Sequence, residues 1–541
     1  MPYCYTTIRK KIQLKSKNSL TKRDSWLIFV IGLFLFTIWL RPEFLNFQTR
    51  FALFAQTMFH TGLTFFPQTY LGSYPDYTAA STIVIYGVSR LFGQVTPFSA
   101  ILPTAIVSSL SLVVTYRIAA LHNRQWGIYA VLFLLLTQGF IQNARDISLD
   151  QYITLITILC LYLSHSAFIY HHTKRLWFLP ILFAIGFVFR GPIGLVIPTT
   201  IILGYYLSNG NWKLFFIVGI TGLVLLILLS MGLLFAAKQQ NNADFVNQVI
   251  AMQVGSRLTG SHSLGAYSFY WLKSSYYYAL SYPVALLVIG TRFKSIFKKQ
   301  TLNFQLLRNL TIGILLVLIG MSIPGNRKLR YILALAPLFS IIAAYLFVDP
   351  SIKGFLYQSK KLLLRILLVF PYILLLLNIL ALCFMKKFHI NIYVDISFAI
   401  FLLITLIYIT HNSKQPIVIL SAALLTLFIL NIFIFDAVSY QSEKTQPFTQ
   451  QVARLAPRPI VFYFIGPDAE DIKFMVNFNR PVQLHFIQEW APNQLFSYQK
   501  PVYFIALQEN FDRIPKQITK HFNVILTGKI GHRDCVVFTK K

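Results

Sequence analysis

The stretch Leu214–Ala236, LFFIVGITGLVLLILLSMGLLFA, decides the fold class. It carries no charged side chain over 23 residues, and as a helix it would reach about 35 Å, more than the roughly 30 Å of a bilayer's hydrocarbon core. Trp26–Leu40 and Ile417–Phe435 repeat the pattern toward the two ends of the chain. The whole sequence shares this character: 56% of the 541 residues are apolar, 16% aromatic and only 12% charged, where soluble proteins carry about 25% charged residues. A chain with this many apolar runs satisfies its backbone in lipid by forming helices, so the sequence predicts a polytopic α-helical membrane protein.

Charge then sets the threading. Lys and Arg outnumber Asp and Glu 48 to 17, an excess that would suit nucleic acid, anionic lipid or an anionic substrate. The basic clusters Arg9 to Arg23, Lys174 with Arg175, Arg292 to Lys299 and Lys353 to Arg365 lie in short segments beside apolar runs, which is the positive-inside arrangement and leaves nucleic acid without support as a partner. With the N-terminus cytoplasmic, spans fall near residues 25–41, 98–119, 126–143, 150–169, 176–190, 192–208, 214–236, 274–291, 309–323, 329–347, 363–384, 391–411 and 417–435, about thirteen in all. Ala79 to Gly93 is too short to cross and is expected to lie at the interface; counting it as a span would move the Lys174 and Arg292 clusters to the outer side. Long outer loops follow at Arg41–Pro97 and Lys238–Lys273. The first apolar run sits behind more than twenty polar and basic residues and lacks a small-residue cleavage site, so it reads as a retained span. Cys4, Cys160, Cys383 and Cys535 have no metal-site spacing or evident pairing.

Composition changes past Asp436. The β-rich runs Pro459–Gly466, Val482–Gln488, Val502–Leu507, Asn523–Thr527 and Val536–Thr539, with helical stretches at Glu443–Leu455 and Ala469–Asn477, predict a small α/β domain. The expected division is a transmembrane domain over 1–437 and an extracytoplasmic domain over 438–541. No repeat relates two halves of the membrane region, which argues against a repeat-built transporter.

Charged groups at spans are costly and point to function. Nine acids precede residue 438: Asp24, Glu43, Asp76, Asp146, Asp150, Asp244, Asp349, Asp395 and Asp436. On the outer face the candidates for a general base are Glu43, Asp76, Asp146 and Asp150, with Asp244 a weaker choice. The same face receives Arg50, Arg145, Arg190, Arg257, His262, Arg327, Lys328 and Arg330, against the positive-inside trend. An anionic ligand such as a phosphate explains a set of cations there, because the guanidinium fork pairs with phosphate oxygens. Snorkelling to headgroups explains any one of them equally well. The clusters Tyr276-Tyr277-Tyr278 and Phe269-Tyr270-Trp271 fit an interfacial aromatic belt better than a sugar platform.

In order along the chain, Arg50-Phe51-Ala52, Tyr74 to Gly93, Ala144-Arg145 followed by Asp150, Arg190-Gly191-Pro192, Arg257-Leu258-Thr259-Gly260 with His262 and Tyr270, and Lys328-Leu329-Arg330-Tyr331 resemble a known family. It is that of the bacterial lipid A aminoarabinose transferases and related protein O-mannosyltransferase-like enzymes, in the glycosyltransferase C superfamily. The resemblance covers most of the membrane region. It implies a glycosyltransferase C fold with juxtamembrane helices at the outer face. It also implies transfer of a sugar from a polyprenyl phosphate to a glycolipid or protein acceptor at the outer face of the bacterial inner membrane, with the C-terminal domain periplasmic. Asp150 and Asp76 stand at the family's acidic positions, Asp76 in place of the glutamate of a Glu-Lys-Pro-Pro stretch. Arg50, Tyr77, Arg145, Arg190, Arg257, His262, Tyr270, Lys328, Arg330 and Tyr331 would contact donor or phosphate.

The chain departs from the family where acid–base chemistry is expected. The usual Asp-Glu pair, three and two residues before the first-loop arginine, is Phe47-Gln48 here. Three outcomes stay open. Glu43 or Asp76 takes over as base, the chain binds lipid-linked sugar without catalysis, or its acceptor needs weaker activation. A lipid or sugar transporter or flippase is a further alternative. The C-terminal domain shows neither a nucleotide-binding glycine loop nor a metal motif, so no nucleotide-sugar donor and no obligatory metal cofactor are expected.

Overall fold

The computed structural model describes residues 22–45, 48–69, 72–240, 244–255, 263–383, 392–412, 415–455, 459–463, 470–478, 484–487, 492–498 and 502–541. The chain divides into two compact units, one formed by Met1–Ile38, Pro75–Ser81 and Ile101–Phe433, the other by Trp39–Tyr74, Thr82–Ala100 and Ile434–Lys541.

All the apolar runs fall on helices. Among the described residues seven helices are long and apolar enough to cross a membrane: Pro97–Ala120, Leu149–Tyr170, Trp212–Lys238, Leu302–Ser322, Leu329–Phe347, Phe355–Leu380 and Pro416–Arg454. The Arg124–Leu135 and Gln138–Ala144 pair, bent by 75°, makes up to eight. The protein is therefore a multi-pass membrane protein. The difference from about thirteen expected spans lies in helix length and polarity. Lys22–Thr37 has 16 residues, Leu179–Arg190 has 12 and Pro192–Ser208 has 17, while Ser281–Lys298 ends on a basic turn that lowers its hydropathy. Ala80–Leu91 is a helix of 12 residues, short for a span as its sequence predicts.

Burial separates the spans. Only 11% of the apolar stretch in Trp212–Lys238 and 17% of that in Phe355–Leu380 are buried, against 83% of that in Leu329–Phe347. The first two present apolar side chains to lipid, whereas the last is surrounded by protein. Close packing between Leu179–Arg190 and Pro192–Ser208 uses small residues, as in membrane helix pairs generally. A Cβ on Gly186 would stand 2.1 Å from the Gly194 carbonyl oxygen, and one on Gly194 would stand 2.0 Å from the Gly186 oxygen. The helices on either side of Gly191 thus meet backbone to backbone.

The second unit contains the helix Gln48–Thr61, the short antiparallel pair β1 (Gln68–Thr69) and β2 (Gly72–Ser73), and a five-stranded sheet. Its strands are β3 (Ile460–Tyr463), β4 (Leu484–Ile487), β5 (Tyr503–Leu507), β6 (Phe522–Ile530) and β7 (Arg533–Lys540), one from each β-rich run. The order is β4-β3-β5-β7-β6, with β3 parallel to β4 and β5, and β7 antiparallel to β5 and β6. Phe448, Val452, Phe462, Phe474, Ile505 and Val537 fill one face of the sheet. The helix Gln48–Thr61 belongs to this unit: Gln56 Nε2 donates to the Val476 carbonyl at 3.0 Å.

Candidate active site

Asp150 lies in the first turn of the Leu149–Tyr170 helix, where a carboxylate is favoured by the helix dipole. Arg190 ends the Leu179–Arg190 helix, and Gly191 beyond it has φ 60° and ψ −151°, a backbone region open essentially to glycine alone. That break turns the chain directly after Arg190 and lets Pro192 start the next helix. The Arg190 Nη2 reaches both Asp150 oxygens, at 3.1 Å and 3.2 Å. Arg330 Nε stands 3.7 Å from Asp150 Oδ2. The Asp150 and Arg190 side chains are 7% and 5% exposed, while Arg330 is 26% exposed. One carboxylate thus faces two guanidinium groups, and the more open cation is Arg330.

Aromatic rings flank the pair. The Arg190 guanidinium lies 5.7 Å from the Tyr77 ring centroid and 5.5 Å from that of Tyr331, within cation–π range. Asp76 precedes Tyr77, is 1% exposed, and takes the Tyr77 amide on Oδ1 at 3.0 Å. Its charge also acts on Arg190. Thr78 fastens this segment by donating its hydroxyl to the Val188 carbonyl at 2.7 Å. Asp76, Tyr77, Asp150, Arg190, Arg330 and Tyr331 therefore share one neighbourhood.

Arg330 and Tyr331 sit on a 3₁₀ stretch, Leu329–Leu335, with a kink at Ile332. Buried tyrosines hold its start. Tyr270 Oη donates to the Lys328 carbonyl at 3.3 Å and Tyr278 Oη to the Leu329 carbonyl at 2.7 Å, and both residues are fully buried. The belt expected of these aromatics fits Tyr276, which is 83% exposed, whereas Tyr270 and Tyr278 are internal props. Tyr278→Phe removes the donor from the Leu329 carbonyl and should cost about 1–3 kcal/mol. Thermal unfolding of the purified protein measures it, and an unchanged midpoint would remove the prop role.

The remaining predicted residues are placed elsewhere or engaged differently. Arg145 is 4% exposed, and its Nη1 donates to the Leu35 and Ile38 carbonyls at 3.0 and 2.8 Å. It thereby satisfies open carbonyls at the end of the Lys22–Thr37 helix. Arg50 packs within the second unit over Phe51 and Tyr74, at 5.0 and 5.3 Å, and donates to Tyr74 Oη. Lys328 precedes the 3₁₀ stretch. Arg257 and His262 lie outside the described residues, as does Phe47.

Glu43 is 2% exposed within the second unit. Its carboxylate accepts the Thr445 amide at 3.1 and 3.3 Å and the Gln446 amide at 2.6 Å. These are open donors at the start of the Gln446–Arg454 helix, which a carboxylate caps favourably. Burial raises the carboxyl above its usual range, against the pull of those amides and of Lys444. Glu43→Ala should lower the stability of this unit by about 1–3 kcal/mol, read as a lower melting midpoint. A variant that loses transfer while melting like wild type would assign Glu43 to chemistry instead. Among the described residues no group of three or more His, Cys, Asp or Glu side chains gathers as for a metal.

The architecture around this cluster is the glycosyltransferase C fold. Its structural likeness runs over nearly the whole chain: ArnT from Cupriavidus metallidurans in the apo state superposes with a TM-score of 0.71 and 14% identity, covering 96% of this chain and 98% of that one. The same ArnT bound to undecaprenyl phosphate gives the same values: TM-score 0.71, 14% identity, and 96% and 98% coverage. At the level of sequence, the family described as dolichyl-phosphate-mannose-protein mannosyltransferase matches residues 80–235. No curated protein sequence matches the chain.

Proposed function

We propose that this protein is a membrane glycosyltransferase that moves a sugar from a polyprenyl phosphate to a glycolipid of the lipid A type or another envelope acceptor. The observation that carries this is the buried Asp150–Arg190 pair with Arg330 beside it and Asp76 close by, in a fold shared with a protein that binds undecaprenyl phosphate. The positive-inside pattern supports a cytoplasmic N-terminus, a domain over 438–541 in the periplasm, and a reaction at the outer face of the bacterial inner membrane.

In the proposed reaction the acceptor hydroxyl oxygen attacks the anomeric carbon, and the bond from that carbon to the phosphate oxygen breaks. The hydroxyl proton passes to a carboxylate, and the polyprenyl phosphate leaves with one more negative charge. Arg330 and Arg190 are the groups suited to that charge, as fixed cations in a site of low polarity. Asp76 is the carboxylate we assign as base. Asp150 is held by the Arg190 and Arg330 guanidinium groups, and Glu43 is engaged by helix amides. Asp76 is buried beside Tyr77 in the same neighbourhood, and catalytic hydrogen bonds commonly tighten only in the complex with substrate.

Transfer in proteoliposomes tests the assignment, using extracted polyprenyl-phosphate sugars and native glycolipids, with wild type beside Asp150→Asn, Asp76→Asn and Glu43→Gln. Transfer by wild type establishes the enzyme, and its loss in Asp76→Asn with donor binding retained establishes Asp76 as the base. The replacement of the family's acidic pair by Phe47-Gln48 favours a second reading, a lipid-linked sugar binder without catalysis. Donor binding without transfer by wild type across acceptors would establish that one.

A further inference from the structure

Gln253 sits in a single π-helical turn, Ala251–Gly255, a helix irregularity that recurs at functional sites. It is 7% exposed. A Cβ on Gly191 would stand 3.2 Å from Gln253 Oε1 and 3.1 Å from Tyr77 Cδ1. The bare Cα of Gly191 is therefore the floor on which the Gln253 amide and the Tyr77 ring both rest, one residue from Arg190. The same ring faces the Arg190 guanidinium on its other contact.

We infer that Gln253, together with Tyr77, recognises the sugar of the donor, and so determines which lipid-linked sugar this protein accepts. The inference rests on the transferase reading given above. A lipid-linked sugar presents two chemistries one bond apart, an anionic phosphate and a neutral polyol ring. Arg190 and Arg330 match the first. A carboxamide is poorly matched to it, because it carries no charge, and it cannot serve as a base. It is well matched to the second, since it offers two N–H donors and a carbonyl acceptor to hydroxyls that both donate and accept. The phenol ring of Tyr77 supplies the flat apolar surface against which the C–H face of a sugar packs. Gly191 is what allows the two to stand this close to the arginine.

The test is direct binding to the full-length purified protein of three probes: undecaprenyl phosphate, the same lipid carrying aminoarabinose, and the same lipid carrying glucose. Wild type should bind one sugar-bearing lipid more tightly than the bare carrier. Gln253→Leu should erase that advantage, a loss of about tenfold for one neutral hydrogen bond together with its desolvation, and leave carrier affinity within twofold. Gln253→Asn keeps the amide on a shorter stem and should change the ranking of the two sugars more than the affinity for carrier. Equal weakening of all three probes in both variants would mark Gln253 as a packing residue and overturn the inference while leaving the transferase reading standing. Unchanged binding of all three would do the same. A wild type that binds no probe removes the transferase reading and this inference with it.

Discussion

Asp150→Asn should abolish measurable sugar transfer and destabilise the membrane unit. The side chains of Asp150 and Arg190 are 7% and 5% exposed, and removing one partner of such a pair leaves an uncompensated buried charge, at a cost of about 3–5 kcal/mol. The loss of transfer alone does not separate a catalytic arrangement from a structural one. The double variant Asp150→Asn with Arg190→Gln does, since it removes both charges and should recover most of the lost stability. If the pair works on the donor phosphate, the double variant melts near wild type and still transfers nothing. Wild-type transfer by the double variant would reduce the pair to a structural tie.

The second large effect concerns Asp76→Asn. A missing general base costs about two to four powers of ten in rate, and the amide cannot take the acceptor's proton. Binding of undecaprenyl phosphate should persist, because Arg190 and Arg330 are untouched and Thr78 still holds the segment to Val188. Retained transfer at the wild-type rate would move the base to another carboxylate. Transfer and carrier binding lost together would mean that Asp76 holds the neighbourhood in shape and does no proton chemistry.

What could be seen in advance follows from the range over which each signal acts. Trp212–Lys238 and Phe355–Leu380 were legible from composition, because a helix facing lipid must be apolar on all sides. The break at Gly191 was legible too, since glycine between Arg190 and Pro192 both frees and redirects the backbone. The charged cluster was found only as a collection of residues set against the charge rule. Nothing in local spacing pairs Asp150 with Arg190, 40 residues on, or brings Arg330 to the same carboxylate. Tyr278 was hidden for another reason. Tyr276 and Tyr278 stand two apart on a helical stretch and point to opposite environments, one 83% exposed and one fully buried, so a run of tyrosines reads as a single belt. Glu43 looked like a free acid because its amide partners are 402 and 403 residues away.

That last separation governs how the protein can be made. Glu43 and the helix Gln48–Thr61 leave the ribosome well before Thr445 and Gln446, whose amides Glu43 accepts across 402 and 403 residues. Every membrane helix between them is translated before the second unit can close. The early segment must wait for Thr445, Gln446 and Val476 to arrive, because contacts between distant parts of a chain form only after the loop between them can be closed. Closure of this contact therefore reports that every membrane helix between Thr61 and Thr445 has been translated.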